Sequence, residues 1–571
     1  MPDYYDLGTY TRTVSTESSD AHRWFSRGLN WTYAYHHEEA VACFERALEF
    51  DSEFAMAHWG VAYAVGPNYN RQWSDFDDVE KQEYLTRAHK ALAAADLNAA
   101  GALPVERALI DALAARYPGD HSVEDVGPWN DAYTKAMRQV HSAHPNDMDV
   151  CALFAEAMLN RTPWKMWDLP TGNPAEGADT LETVEVLESA FRDLAGQGAE
   201  EHPGLLHMYI HLMEMSPNPE KALKAGDALV DLVPDAGHLQ HMATHIDVLC
   251  GNYQNVVARN DRAIVADRKY LDRSGPLNFY TVYRCHNYHF KIYGSMFLGQ
   301  LKPAMEAAEE LAETLTDDVV RPLADWLEAF IPMKQHVLIR FGRWDEIKAQ
   351  DLPEDRELYS ATTALIQYAK TVAFAATGDI SKAIASRQAF LEAKSAVPDS
   401  RMLFNNTCAD ILNIAEAMLE GELAYRQGDY DAAFDHLRRS VKLDDTLPYD
   451  EPWGWMQPTR HALGALLLEQ GRTGEAEAVY RADLGLDGSL SRASQHPDNI
   501  WALHGLYESL TRRGETAEAG LIKQRLDLAN ARADVRIEAS CFCRMDHHVG
   551  RKDQQQNPQR PGTSLSHSHK Q

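Results

Sequence analysis

Two short runs carry the residue types that could hold a metal ion or move a proton. LLHMYIHLMEMS places His207 and His211 four apart with Glu214 three further on, and LQHMATHIDVLC places His241 and His245 four apart. Residues i, i+4 and i+7 of a helix share one stripe, so His207, His211 and Glu214 point the same way. Corresponding histidines of the two runs are 34 residues apart, which is a helix-hairpin repeat period. A third run, CHNYHFKIYG, adds His289. Histidine and carboxylate without cysteine suit Zn, Fe(II), Mn, Ni or Cu, and an open two-His-one-carboxylate set suits non-haem Fe(II). This is no zinc-protease H-E-x-x-H motif, because Met208 and Met242 follow the first histidines. Any hydrolytic base would have to be Glu214.

Such residues need packed helices to bring them together. Framing the hairpins by Ala222 and Leu229, Val256 and Ala263, and Ala304 and Leu311 puts His207, His241 and His289 at one equivalent position. His211 and His245 share the position one turn later. Neighbouring helices lie about 8–10 Å apart, so imidazoles from two of them can share an ion at about 2.0–2.1 Å. The helices of His207 and His289 are separated by that of His241, so all five histidines do not sit on one ion. His207, His211, His241 and His245 are therefore the expected metal ligands. Glu214 is expected as ligand or general base, and His289 as secondary ligand or proton donor. Asp247 or Glu156 would give outer support. The competing reading makes these residues the lining of a groove that binds a segment of a partner protein, or inter-helix hydrogen-bonding groups.

The elements around them read as helix hairpins. Trp24, Gly28, Trp31, Ala40, Phe44 and Ala47 follow the tetratricopeptide spacing, in which small residues let two helices approach and aromatics fill the gap to the next hairpin. The frame recurs on Gly421, Ala433, Leu437 and Ser440, on Gly464, Ala476, Tyr480 and Asp483, and on Trp501, Gly505, Ala517 and Leu521. The links RQGDYDAA, EQGRTGEA and RRGETAEA supply the glycine that closes one helix before the next. An all-α, tetratricopeptide-like superhelix is expected. Asn160–Asp179, Leu271–Asn278 and Leu447–Pro458 interrupt the periodicity and read as loops. The last of these, with Trp453, Trp455 and Arg460 close together, either caps the groove or packs on the adjacent hairpin.

Composition bounds the partners. Asp and Glu total 85 against 55 Lys and Arg, a formal charge of −30. A surface of that sign repels phosphate backbones and anionic membranes, so nucleic acid and membrane are not expected partners. A small-molecule ligand or a partner peptide is. No export signal is legible at the start and no apolar run is long enough for a membrane helix, so a cytoplasmic protein is expected. Seven scattered cysteines do not suggest a disulfide framework. Cys541 and Cys543, with His547 and His548, give a weak soft-metal signal. His36 and His37 are expected in solvent at the first hairpin turn. RFGRW is expected to end a helix at Gly342, with Trp344 anchoring the next. No phosphate loop, dinucleotide fingerprint or Ser-His-Asp signature is present.

The run from Glu156 through Trp164 and Trp167, then HPGLLHMYIHLMEMSPNPEKAL, LVPDAGHLQHMATHIDVLCGNY and HNYHF, and later RFGRWDEI and YDEPWGWMQPTRHALGALLLEQG, resembles a family of tetratricopeptide-repeat proteins of bacteria and filamentous fungi. The resemblance reaches to about Cys543. It implies the superhelical architecture and focuses attention on the histidines without implying a substrate. The expected layout is an N-terminal segment 1–20, a superhelix with the histidine pocket over 21–400, further repeats over 401–530 and a disordered tail from 531 to 571.

Overall fold

A computed structural model describes residues 4–198 and 201–544. Helix follows helix throughout, and the only strands among the described residues are two two-residue hairpins, Trp167–Asp168 with Asn173–Pro174 and Met402–Leu403 with Asn406–Thr407. The all-α helical-repeat superhelix is what the spacing predicts.

The repeat glycines show why the hairpins close. The Phe44 ring fills the space between Gly28 and Gly60, and a Cβ on either glycine would overlap it. Tyr480 does the same between Gly464 and Gly505, and Leu437 packs on Gly421. Gly428, Gly471 and Gly514 end their helices with φ of 84°, 70° and 78°, a left-handed conformation that favours glycine. Gly342 ends its helix in the same way, and Trp344 is buried at the start of the next.

The last hairpin departs from the expected frame. Gly514 lies nine residues after Gly505, whereas Gly428 and Gly471 lie seven after Gly421 and Gly464. This longer first helix turns Ala517 and Leu521 outward, and Ala519 and Ile522 face the core instead.

Two large apolar cores divide the chain. One draws on residues from Tyr5 to Tyr283 and the other on residues from Tyr253 to Cys543. They adjoin around the helices Tyr253–Ser274 and Tyr280–Phe297, while position 400 falls inside the second core.

Both ends of the described chain are tied down. Arg12 pairs with Asp147 at 2.7 Å and with Asp149 at 2.5 Å, holding the N-terminal segment across the first hairpins. Beyond 531, Asp534 accepts hydrogen bonds from the backbone of Leu301 and Lys302 at 2.6 and 2.9 Å. Ile537, Ala539 and Cys543 are buried. The stretch up to Arg544 therefore packs on the superhelix, contrary to the tail boundary drawn from composition. Cys541 and Cys543 form a disulfide, which removes them as a thiolate pair for a soft metal. His547, His548 and the rest of the tail lie outside the described residues.

Of the loops, Asn160–Asp179 carries the first strand hairpin, and Leu447–Pro458 is non-helical as expected. The interruption expected at Leu271 starts only after Ser274, because the preceding helix runs on to that residue.

Candidate metal centre

Three helices present the histidines: Pro203–Met213, Gly237–Leu249 and Tyr280–Phe297. Each is the first helix of its hairpin and packs beside the next, so a common stripe faces one interior space. His207, His211, His241 and His289 are 0% exposed and His245 is 1% exposed. Full burial of imidazoles demands partners, and the partners reveal which nitrogen carries the proton.

Four histidines have Nδ1 engaged by a carbonyl, amide or carboxyl oxygen. His207 Nδ1–H donates to the Tyr33 carbonyl at 2.7 Å. His241 Nδ1–H donates to Asn260 Oδ1 at 2.8 Å, the Asn260 amide being oriented by its own donation to the Val256 carbonyl at 2.8 Å. His211 and His245 donate from Nδ1 to the two oxygens of Glu214, at 3.1 and 2.6 Å. This is the second-shell arrangement of a metal-binding histidine, in which one nitrogen is anchored and the other is turned inward.

The free nitrogens converge. His207 Nε2 lies 3.2 Å from His238 Nε2, and His241 Nε2 lies 2.7 Å from His245 Nε2. His211 Nε2 has no partner, nor has His238 Nδ1. One ligand nitrogen from each of His207, His211 and His238 lies within 4.8 Å of the others, and the same holds for His241, His245 and His286. A third close group joins His211, Glu214, His245 and Glu451.

His289 stands apart from these groups. Its Nε2 is 2.7 Å from Met456 Sδ, and its ring packs against Phe330 and Phe404. Asp247 is committed elsewhere, to Arg259 at 2.8 Å. Glu156 accepts a hydrogen bond from the Tyr63 hydroxyl and does not belong to any of the three groups.

The expected set omitted His238, His286 and Glu451. The first two precede His241 and His289 by three residues, the other spacing that keeps residues on one helix face. Glu451 comes from the Leu447–Pro458 loop, where Trp164 Nε1 donates to it at 3.0 Å. No local spacing announces it.

Burial and charge set the protonation of the cluster. Burial, and then the neighbouring imidazoles, push His211, His238 and His286 well below the ordinary histidine value. Burial pushes His207 down to about 3. These rings are neutral and ready to ligate. His245 is the exception: burial opposes its charge, but Glu451 and Glu214 outweigh burial and raise it to about 10. Without a metal its Nε2–H then donates to His241 at 2.7 Å, and an ion bound there would displace that proton. Burial and the adjacent Glu451 raise Glu214. Burial also acts to raise Glu451, but His245 prevails and Glu451 falls below the usual carboxylate value.

Backbone strain gathers here. Among the described residues five non-glycine residues have positive φ, and three of them touch the cluster or its surroundings: Tyr35 at 54°, Trp164 at 53° and Phe404 at 47°. Such conformations cost free energy and persist where packing enforces them. Tyr35 lays its ring on His207, His211 and His238, with centroids 4.5, 5.9 and 5.7 Å away. Phe404 packs edge-on to His286 at 4.7 Å. His36, expected in solvent, is instead buried with its ring stacked 4.0 Å from Tyr280, and burial pushes it down to about 3. His37 is half-buried, with Nδ1 3.2 Å from the Gly66 carbonyl.

Beside the cluster opens a cavity of about 710 Å³. Its wall combines aromatic rings, among them Trp164, Trp167, Phe279, Tyr283, Trp326, Phe404 and Tyr449, with polar groups such as Asp75, Lys165 and Asp450, and His286 and Glu451 reach it from the cluster. Glu214 does not line it.

No protein-family description matches the chain, and no curated protein is significantly similar to it in sequence. Among solved structures, it is similar to Naa15/Naa10 bound to HypK-THB, with 14% identity and a TM-score of 0.22 over 89% of this chain and 70% of that one. It is also similar to the APC/C hetero-tetramer Cut9–Hcn1, with 12% identity and a TM-score of 0.24 over 90% of this chain and 94% of that one. A third likeness, to the P58(IPK) TPR domain, has 14% identity and a TM-score of 0.20 over 80% of this chain and 99% of that one. The repeat architecture rests on the chain's own hairpins: Phe44, Leu437 and Tyr480 sit at the tetratricopeptide packing positions against Gly28, Gly421 and Gly464.

Proposed function

We propose that this superhelix is a metalloprotein that binds, and acts on, a small molecule held in the aromatic cavity above its histidine cluster. One observation carries the reading: His286 and Glu451 belong at once to the candidate ligand groups and to the cavity wall. A cavity of this size suits a small organic ligand, and its lining favours one with an apolar or aromatic body and a polar head. A divalent ion bound there would supply Lewis-acid chemistry or an activated water. We assign proton transfer to Glu451, since it reaches the cavity, and the orienting of His211 and His245 to Glu214.

The competitor is a scaffold whose groove holds a segment of another protein, as solenoid surfaces often do. Against it, the space facing the histidines is occupied by this chain's own Tyr35 and by residues of the Asn160–Asp179 and Leu447–Pro458 loops.

Metal analysis of the purified protein decides between them. The expected result is a stoichiometric first-row transition metal that is lost when His207 and His241 are both replaced by Ala, with the helical circular-dichroism signal retained. Less than roughly a tenth of an equivalent after reconstitution with zinc, at concentrations that fill His-rich sites, overturns the reading.

A further inference from the structure

The two trihistidine groups are built by the same rule. Each takes an i,i+4 pair from one helix and a single histidine from the next: His207 and His211 with His238, then His241 and His245 with His286. The single histidine in each case lies three residues before the position equivalent to the first of the pair, since His238 precedes His241 and His286 precedes His289 by three. The hairpin repeat has thus produced the same ligand set twice in succession. Two nitrogens on a tetrahedral ion at 2.0–2.1 Å lie about 3.3 Å apart, and a right-angle pair about 2.9 Å apart. The first group offers a pair at 3.2 Å, whereas in the second His241 and His245 close to 2.7 Å in a direct hydrogen bond and must part by a few tenths of an ångström to admit an ion. The carboxylates do not serve as well for ligation, because both oxygens of Glu214 are already taken by the Nδ1–H groups of His211 and His245. Glu214 instead grips one histidine of each group.

Their surroundings differ. No histidine of the first group lines the 710 Å³ cavity, and the Tyr35 ring covers all three. The second group meets that cavity through His286, with Glu451 beside it.

We propose that the centre holds two divalent transition-metal ions in tandem trihistidine sites: a closed one on His207, His211 and His238, and a cavity-facing one on His241, His245 and His286 that alone meets the small molecule. Three protein ligands with an open position are the mark of a catalytic ion, whereas an ion walled off from solvent serves structure and charge balance. This inference rests on the metalloprotein reading above.

The test is a count and a rate. Zinc-reconstituted full-length protein is expected to hold about two equivalents per chain. On addition of a soluble chromogenic chelator, one equivalent should leave at least roughly tenfold faster than the other, as expected of ions that differ in shielding. His286→Gln should retain one slowly released equivalent, and His238→Gln one rapidly released equivalent. Titration of the wild-type apoprotein with Co(II), read by its visible absorption, needs no variant and should break at two equivalents. A break at one equivalent overturns the two-ion inference and leaves the metalloprotein reading standing, whereas the absence of any break overturns both. Two equivalents released together and both lost in either variant also overturn the inference.

Discussion

The molecule contains two buried histidine clusters, and they are wired in opposite senses. Around Asp483, His461 Nε2–H donates to Oδ2 at 2.9 Å, His496 Nδ1–H to Oδ1 at 2.9 Å and Asn499 to Oδ2 at 2.9 Å. The remaining His461 nitrogen, Nδ1, accepts from Arg340 at 2.8 Å, and that guanidinium stacks over Trp501. Both nitrogens of His461 are spent on protein partners. In the 207–286 cluster the Nδ1 donors point outward, to Tyr33, Asn260 and Glu214, while the Nε2 atoms of His207, His211, His241 and His245 are turned toward other imidazoles and not spent on other protein partners. Burial of histidines therefore does not mark a ligand in this fold. What separates the two clusters is where the anchored ring protons point.

Four experiments would break or sharpen that contrast. The largest effect is expected from Asp483→Ala, which strands two imidazoles and an amide that shared one buried carboxylate. It should cost about 3–5 kcal/mol in denaturant unfolding, by the same amount with and without chelator. Next, zinc at 100 to 1,000 times its dissociation constant should stabilise the wild type by about 3–4 kcal/mol and leave the His207→Ala, His241→Ala double variant unmoved. An equal shift in both would erase the distinction between the clusters.

Third comes Asp247→Asn, which weakens the pairing with Arg259 and is expected to cost about 1–2 kcal/mol while the metal content stays at the wild-type value. Loss of metal would bring Asp247 back into the site's supporting shell. The smallest effect concerns pH. His36 is held neutral in the fold down to about pH 3, while the unfolded chain takes up its proton near 6.5. The unfolded state then binds more protons below 6.5, so the fold loses stability as pH falls through that window. His36→Phe, which preserves the stack on Tyr280, should shrink the stability lost between about pH 7.5 and 5.5 by about 1 kcal/mol. An unchanged pH slope would mean that His36 is protonated in the fold.

Much of this was legible in the sequence, and the omissions have physical reasons. The Gly28–Phe44 and Gly464–Tyr480 spacings specify hairpins because a ring can enter only where a side chain is missing. The 34-residue register of His207 with His241 and of His211 with His245 identified two of the helices whose histidines gather in the candidate centre. The register then fails, since His289 follows His241 by 48 residues, and on that third helix His286 takes the inward position while His289 turns to Met456. Ala517 and Leu521 were misplaced because a helix two residues longer rotates everything after it. Glu451 could not be found by spacing: it lies 237 residues beyond Glu214 on a loop, brought in by tertiary packing alone.

That separation along the chain also orders events in time. All six histidines of the tandem sites fall within residues 207–286, and Glu451 leaves the ribosome 165 residues after the last of them. At synthesis rates of about 5–20 residues per second, this interval is roughly 10–30 s. Under the two-ion proposal, a nascent chain that folds as it emerges would meet metal at the second site before its cavity wall is complete, whereas Tyr35, which covers the first site, is made before any of the six histidines. On that proposal, the identity of the ions would be decided by which metals the growing chain encounters and by their intrinsic order of affinity for imidazole, more than by selection in the finished pocket.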